Sequence, residues 1–530
     1  MIFPDTIQRY LMNKWLFLIF ISLLLGQMSC RQKPAAAEKP NIIIIYVDDL
    51  GYGDVGCYGA GGVSTPNVDL LASKGLMLTD AHATASTCTP SRFSLLTGSY
   101  AFRNDAAILP GDAPLLIRPG TPTLPGMLQK AGYTTAVIGK WHLGLGNGTP
   151  QWNGILKPGP TEVGFDYSFI VPATLDRVPT VYVENHRVVN LDAQDTIAVS
   201  YEHRIGNLPI GLEHPELLKF KADSQHSGTI VDSISRIGFM SGGRSAWWKD
   251  EDIADVLVKQ MDAFIRKHQK SPFFLYFSLT DIHVPRAPAY RFKGKSTMGS
   301  RGDAIAEMDW STGAVLKTLD ALGLTDNTLV IFTSDNGPVL DDGYDDHAEQ
   351  LVGAHRPGGP FKGGKYSAFE AGTRVPAIVY WPGKIKPGTS NALVSQVDFF
   401  ASFAALTGQK LDERDAPDSF NMLDALTGKS DTGRTTLLEE AYTFALRSGA
   451  WKYIAPQTRP TPGWMSNKKI PTGLEPFPQL YRLDADTAEL HNVREQYPDR
   501  TAEMKNTLTK IIQDDGTRPG FKKQNQAANR

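Results

Sequence analysis

Cysteine is nearly absent: the 530 residues contain three, Cys30, Cys57 and Cys88. A fold stapled by disulfides is therefore excluded, and core packing must hold the chain together. Charge of either sign is not in excess, with a formal net charge of −2. The basic footprint that captures nucleic acid is missing, so no nucleic-acid partner is expected. Internal repeats and heptads are lacking, which excludes solenoids and coiled coils. Long apolar runs are confined to Trp15–Gly26, WLFLIFISLLLG. That run is too short to span a bilayer and follows Arg9 and Lys14, the layout of a secretory signal.

The apolar run ends at Gln27, Met28, Ser29 and Cys30, followed by a polar, Ala-rich tether to Pro40. This looks like a bacterial lipoprotein cleavage site with Cys30 as the lipidated residue, although Gln27 stands where an aliphatic residue is usual. An unlipidated signal peptide is the alternative. Export to the periplasm or cell surface is expected, with membrane attachment through an N-terminal lipid as one form of it.

A chain of this length exceeds what one core usually organises. The apolar fraction of 41% is that of a globular protein. Asn41–Val47, NIIIIYV, reads as a strand covered on both faces that stops at Asp48 and Asp49. Leu329–Thr333 stops at Ser334, Asp335 and Asn336, Thr134–Ile138 leads into GKWHLG (Gly139–Gly144), and Phe273–Leu279 runs into Asp281 and His283. Helices are expected over Pro66–Gly75, Thr123–Gly132, Ile253–His268 and Arg500–Asp514. The alternation predicts an α/β fold: a large mixed, mostly parallel sheet sandwiched by helices, with a smaller C-terminal α+β subdomain. The expected organisation is a signal and tether over 1–40, a catalytic domain over 41–410, a C-terminal subdomain over 411–515 and a loose tail over 516–530.

In open α/β sheets ligands bind beyond the carboxyl ends of strands, and four strands here end in chemically capable groups. Asp48, Asp49, Asp335 and Asn336 supply hard oxygens suited to calcium or magnesium rather than zinc. Either motif alone reads as a turn; a divalent ion explains why three carboxylates would converge. Cys88–Gly98, CTPSRFSLLTG, carries a second signal. Pro90 fits a first helical position, which would set Cys88 just before a helix and against its unpaired N–H groups, with Arg92 adding a planar donor fork for a tetrahedral oxyanion. A buried structural cysteine is the bland alternative.

The CTPSR segment with Gly98 resembles the signature of the formylglycine-dependent, arylsulfatase-like sulfatases of the alkaline-phosphatase-like superfamily. The resemblance implies that a maturation enzyme oxidises Cys88 to Cα-formylglycine, and that Asp48, Asp49, Asp335 and Asn336 hold one calcium ion. It further picks out Lys140 and His142 in GKWHLG, His283 in DIHVP and Lys365 in FKGGKYSAFEAGTRVP. Ala371 departs from the glycine usual in that last motif, and the hydroxyl that in relatives touches sulfate after GKWHLG has no assignable counterpart. On this reading the hydrated aldehyde is the nucleophile, Arg92 supports its ionised form, Lys140 and Lys365 bind sulfate oxygens, His283 is the general acid and His142 the base.

The expected substrate is a sulfated carbohydrate, attacked by an exo-acting sulfatase. Asp176 and Arg177 are candidates for gripping ring hydroxyls, and Trp152, Trp247 and Trp248 for stacking on a sugar. The alternatives are a broad arylsulfatase, a phosphate or phosphonate monoester hydrolase, and a surface glycan-binding protein without catalysis.

Overall fold

The structure, a computed structural model, describes residues 39–522 apart from 459. Cys30, the apolar run and most of the tether lie outside these residues. Among the described residues no helix is long and apolar enough to cross a membrane.

The main sheet has ten strands. In chain order they are β1 (Asn41–Val47), β2 (Leu76–Leu78), β3 (Thr134–Lys140), β4 (Tyr167–Val171), β5 (Val183–Glu184), β6 (Arg187–Val188), β7 (Phe273–Ser278), β8 (Thr328–Ser334), β9 (Ala377–Tyr380) and β10 (Gly388–Ser390). Their spatial order is β10-β2-β9-β8-β1-β7-β3-β4-β5-β6. The four strands singled out from sequence, β8, β1, β7 and β3, are consecutive and parallel at the centre, so their carboxyl ends share one edge.

Both faces of this sheet are buried, as the unbroken apolar run of β1 requires. Ile42, Ile44 and Tyr46 enter one core with α2 (Cys88–Thr97), α3 (Leu124–Lys130) and α6 (Phe399–Leu406). Ile43, Ile45 and Val47 enter the other with α1 (Pro66–Lys74), α4 (Ile253–His268) and α5 (Gly299–Ala321). The α/β sandwich is thus as expected. α1 begins with Pro66 in its first turn, and the Thr123 hydroxyl caps α3 by accepting from Gly126 N at 3.1 Å.

A second, antiparallel sheet orders β11 (Thr436–Glu440), β12 (Phe444–Ser448), β13 (Trp451–Ile454) and β14 (Gln479–Arg482). It packs Leu438, Leu446 and Leu480 against Met504 and Leu508 of α7 (Pro498–Gln513). Its edge meets the approach to Cys88, because Ser86 N donates to Glu440 O at 2.8 Å and Glu440 N to Thr84 O at 2.9 Å. The predicted loose tail is anchored where it starts: Arg518 N donates to Pro417 O, and its guanidinium is held by the Asp415 carbonyl.

Candidate active site

The register of β1 on β8 pairs Val47 with Ser334, so the next residues, Asp48–Asp49 and Asp335–Asn336, emerge side by side. Asp49 takes a left-handed backbone, φ 62°, which turns the chain at the strand end. Lys140 closes β3, and His142, also left-handed at φ 53°, follows it. Cys88 is the first residue of α2 rather than its cap, with Thr87 in the capping position. Pro90 therefore sits two residues further into the first turn than the sequence reading placed it. The residue still faces the helix N-terminus, where N–H groups lack intrahelical acceptors.

The structure brings the ten predicted catalytic and metal residues together, all at most 4% exposed. Lys140 Nζ lies 2.5 Å from Asp48 Oδ2, Lys365 Nζ 2.9 Å from Asp49 Oδ2, and Arg92 Nη2 2.7 Å from Asp335 Oδ2. Arg92 also donates to Ser278 Oγ and to the Lys140 carbonyl, which fixes its plane. Cys88 Sγ is 3.7 Å from Asp48 Oδ1. Burial drives the Asp48 carboxyl up despite Lys140, whereas Arg92 and Lys140 overcome burial at Asp335 and hold it down to about 2.

These donors fit a hard cation. Asp48, Asp49, Cys88 and His283 each place a ligand atom within 4.8 Å of the others. Asn336 Nδ2 donates to Asp49 Oδ1 at 2.8 Å, which leaves Asn336 Oδ1 as a buried oxygen with no hydrogen-bond partner. An orphaned amide oxygen beside three carboxylates is what an oxygen-preferring ion would satisfy.

The unmodified thiol is poorly suited to attack. Burial pushes Cys88 far above the usual thiol range, so almost no thiolate exists at neutral pH. The two histidines differ in which nitrogen is free. His142 Nε2 lies 3.0 Å from the Leu109 carbonyl and must carry the proton, leaving Nδ1 as a buried lone pair without a partner. Burial, with Lys140 and Arg177 nearby, keeps this ring well below the ordinary histidine range and hence neutral. His283 is the reverse: Nδ1 donates to Val284 O at 2.6 Å, and Nε2 points toward Asp49 at 3.8 Å. Burial and Lys365 push it down to about 4.

Above this floor opens a cavity of about 350 Å³ lined by Cys88, His142, His283 and Lys365, at the small end of the range for small-molecule sites. Asp176 and Arg177, the sequence candidates for substrate contact, stand in its wall. Arg177 Nη1 bonds Asp176 Oδ1 at 2.8 Å, and His226 Nε2 lies 3.3 Å from Asp176 Oδ2. Burial would raise the Asp176 carboxyl, but Arg177 and His226 hold it well below the usual range.

The expected tryptophans do not reach the cavity. Trp152 and Trp248 are 4% and 3% exposed and belong to the two cores, while Trp247 packs against the core that holds Trp152 and donates to Gly242 O. The aromatic wall is instead Tyr201, Tyr366, Tyr442 and Trp464, with Trp464 5.1 Å from the Tyr366 ring. Sequence reading also missed His226 and Asp342. Asp342 lies in a DDG triplet that reads as a turn, and Trp464 and Tyr442 come from segments with no motif.

With this geometry in place, similarity to known proteins is informative. A family model described as Sulfatase matches residues 40–409. The chain is 50% identical over 500 residues to an N-acetylgalactosamine-6-O-sulfatase of Bacteroides thetaiotaomicron, covering 93% of this chain and 97% of that one. It is 33% identical over 440 residues to human arylsulfatase D, covering 78% and 72%. A solved Bacteroides thetaiotaomicron structure, described under metabolism of multiple glycosaminoglycans, superposes with TM-score 0.88 at 50% identity, covering 90% of this chain and all of that one.

Proposed function

The chain belongs to the sulfatase family, and on that premise we propose that it is an exported, exo-acting carbohydrate sulfatase that removes the 6-O-sulfate of an N-acetylgalactosamine-type residue. The enzyme is a sulfuric ester hydrolase; what the proposal adds is the sugar, the cofactors and the location. One observation carries it: the Asp176–Arg177–His226 array stands in the wall of a small cavity whose floor is Cys88 and Lys365. A buried carboxylate with two cationic or protonatable partners offers both donors and an acceptor to a ring hydroxyl. Tyr442 and Trp464 offer flat apolar surface to the ring itself. The similarity to a 6-O-sulfatase of N-acetylgalactosamine supports the choice of sugar. The N-terminal signal and Cys30 support export and lipid anchoring.

Formylglycine, if a maturation enzyme makes it from Cys88, would supply a hydrated aldehyde as nucleophile, and Asp48, Asp49, Asp335 and Asn336 would hold a calcium ion that would supply positive charge. Arg92, locked by Asp335, Ser278 and the Lys140 carbonyl, presents a fixed cation to the attacking oxygen. Lys140 and Lys365 each spend an ammonium N–H on a carboxylate and keep others to donate to sulfate oxygens, where charge grows as the ester bond breaks. His142 accepts a proton at its unpartnered Nδ1. His283 delivers one from Nε2 to the departing alcohol. The ring is neutral at rest, and the anionic ester entering beside it favours the imidazolium that an acid requires.

The test is sulfate release by matured enzyme from 6-O-sulfo-N-acetylgalactosamine, its 4-O-sulfo isomer and 6-O-sulfogalactose, free and at either end of a disaccharide. The 6-O-sulfated amino sugar at the non-reducing end should give the highest kcat/KM. Preference for the 4-O-sulfo isomer, or equal action at the reducing and non-reducing ends, would overturn the assignment.

A further inference from the structure

Asp342 lies in the cavity wall, 4% exposed, outside every motif that marks the catalytic set. It gathers donors from separate segments. Lys365 Nζ is 2.9 Å from Oδ2, the Tyr366 hydroxyl donates at 3.0 Å to the same oxygen, and Lys468 Nζ is 2.8 Å from Oδ1. Neighbouring residues in extended chain point to opposite sides, yet Lys365 and Tyr366 converge on one carboxylate. They do so because Tyr366 adopts a left-handed backbone, φ 72°, held by its N–H to the Ser86 carbonyl at 2.9 Å. A bulky residue in that region signals a functional constraint more often than chance.

We propose that Asp342 is a positioning residue for the sulfatase reaction: it anchors the Lys365 ammonium over the cavity floor, within a clamp completed by Tyr366 and Lys468. Lys365 has one other carboxylate partner, Asp49 Oδ2 at 2.9 Å, and that residue belongs to the metal-donor set. An ion drawing on Asp49 leaves Asp342 as the tether independent of the metal. Two ammonium groups share the one Asp342 carboxylate, so the clamp carries net positive charge toward an anionic ester. Lys468 follows a short 3-10 turn, Gly463–Asn467, that also carries Trp464 into the cavity wall. Both lie beyond the residues matched by the family model. The clamp therefore joins Lys365 and Tyr366, within residues 40–409, to a segment outside that match.

Asp342 acts through Lys365, so its role rests on the reading of Lys365 as a sulfate ligand. A double-mutant cycle on nitrophenyl sulfate separates this from a structural role without involving the sugar assignment. Asp342→Asn should lower kcat of the folded protein on the order of 10²-fold, apart from any fall in melting temperature from leaving two ammonium groups short of a partner, as loss of one preorganised charge in a reaction site does. In a Lys365→Ala background the same change should cost less than about 3-fold, because the group it positions is gone. Asp342→Glu should restore about 10-fold of the loss by returning the charge. If Asp342→Asn fails to fold, Tyr366→Phe removes a single donor, and its few-fold loss should likewise vanish in the Lys365→Ala background. Equal losses in both backgrounds, or full activity of Asp342→Asn or Lys365→Ala, would overturn the proposal. Failure on defined sugars with the aryl-sulfate cycle intact would count against the glycan assignment alone.

Discussion

Around Asp48, and again around Glu370, the protein draws acidic residues and cations together out of water, but the two clusters differ in the space they open onto. In the second, Asp80, Glu370 and Glu439 face His82, Arg374, Arg447 and Lys452 between the main sheet and the C-terminal sheet. Each carboxylate has cations on it: Glu370 meets Arg447 at 2.6 Å and Lys452 at 3.0 Å, Glu439 meets His82 at 2.8 Å and Lys452 at 2.7 Å, and Asp80 meets His82 at 2.8 Å. By residue type, Asp80, His82 and Glu370 could hold a metal as well as the Asp48 group could. Yet three permanent cations already occupy that space, and a void beside His82 is only about 10 Å³. Both clusters hold buried atoms without a hydrogen-bond partner, Asn336 Oδ1 and His142 Nδ1 in the first and Arg447 Nε in the second, but the first opens on a cavity of about 350 Å³. A density of buried charge does not mark a site; unsatisfied capacity facing a cavity does.

Substituting Cys88 should produce the largest contrast between the two clusters. Cys88→Ala is expected to cut activity by at least about 10⁴-fold, the scale of losing a nucleophile, with little change in melting temperature. Peptide mass spectrometry of active wild-type protein should show residue 88 as an aldehyde or its hydrate. Full activity with an intact thiol would refute the nucleophile assignment.

Metal content separates the clusters next. Matured protein should carry one calcium ion, measured by elemental analysis, and Asp49→Ala should lose it. Glu370→Gln, in the second cluster, should keep it. Chelation should lower both turnover and melting temperature, since a ligand held only by the native state stabilises it. Metal retained in Asp49→Ala but lost in Glu370→Gln would reverse the comparison.

His283→Ala sharpens what the open cluster does. If His283 protonates the leaving alcohol, kcat/KM on a sugar sulfate should fall by about 10²–10⁴-fold. Nitrophenyl sulfate, whose phenolate departs without a proton, should lose less than about 10-fold. Equal losses would assign His283 to sulfate binding instead.

Lys452→Met tests the closed cluster by stability alone. Removing one partner from a buried ionic group leaves uncompensated charge, here on Glu370 and Glu439, at a cost of about 3–5 kcal/mol in denaturant unfolding. The kcat of the folded fraction should not change. A variant as stable as wild type would show that Arg447 and His82 suffice without it.

The open cluster was legible in sequence because its residues sit at strand ends and in contiguous motifs. β1 and β8 announce themselves by apolar runs that stop abruptly at Asp48 and Asp335, and α4 by its amphipathic period. Other parts carried no local signal. α5 buries Arg301, Asp303, Glu307 and Asp309 beside Ile305 and Met308, so charged residues on buried positions blur the helical pattern. Pro90 misplaced the start of α2 because proline is tolerated throughout a first turn, where N–H groups have no partners anyway. His226, Asp342, Tyr442 and Trp464 converge from distant segments, and only tertiary structure gives them a common cavity. Of the three tryptophans expected there, Trp152 and Trp248 went to the cores and Trp247 packs half-buried against one of them, the usual destination of so large an apolar surface. The second cluster was invisible for the same reason as the cavity wall, since Asp80 and Lys452 are brought together only by the docking of the C-terminal sheet.

The smallest expected effect is a change in pH dependence from His82. Burial alone would lower the pKa of this ring, but hydrogen bonds to Asp80 and Glu439, together with the charges of Glu439 and Glu370, outweigh it and raise it above the ordinary histidine value. Arg447, Arg374 and Lys452 oppose the shift without cancelling it, because each is already matched to the same carboxylates. A group whose folded pKa is raised contributes stability that is complete below its unfolded value, about 6.5, and is lost as pH rises through the folded value. Unfolding free energy should therefore fall on the alkaline side of about pH 6.5, with a His82 contribution of at most about 1.4 kcal/mol per pH unit. Glu489, pushed up to about 8 by burial, contributes a slope of the same sign, as does His226 with its raised pKa. His82→Gln retains hydrogen-bonding groups but cannot titrate, so the difference between its stability curve and that of wild type isolates the one ring. That difference should be largest below pH 6.5 and shrink as pH rises. Parallel curves across this range would mean that His82 is neutral in the folded protein and that the closed cluster is balanced by Arg374, Arg447 and Lys452 alone.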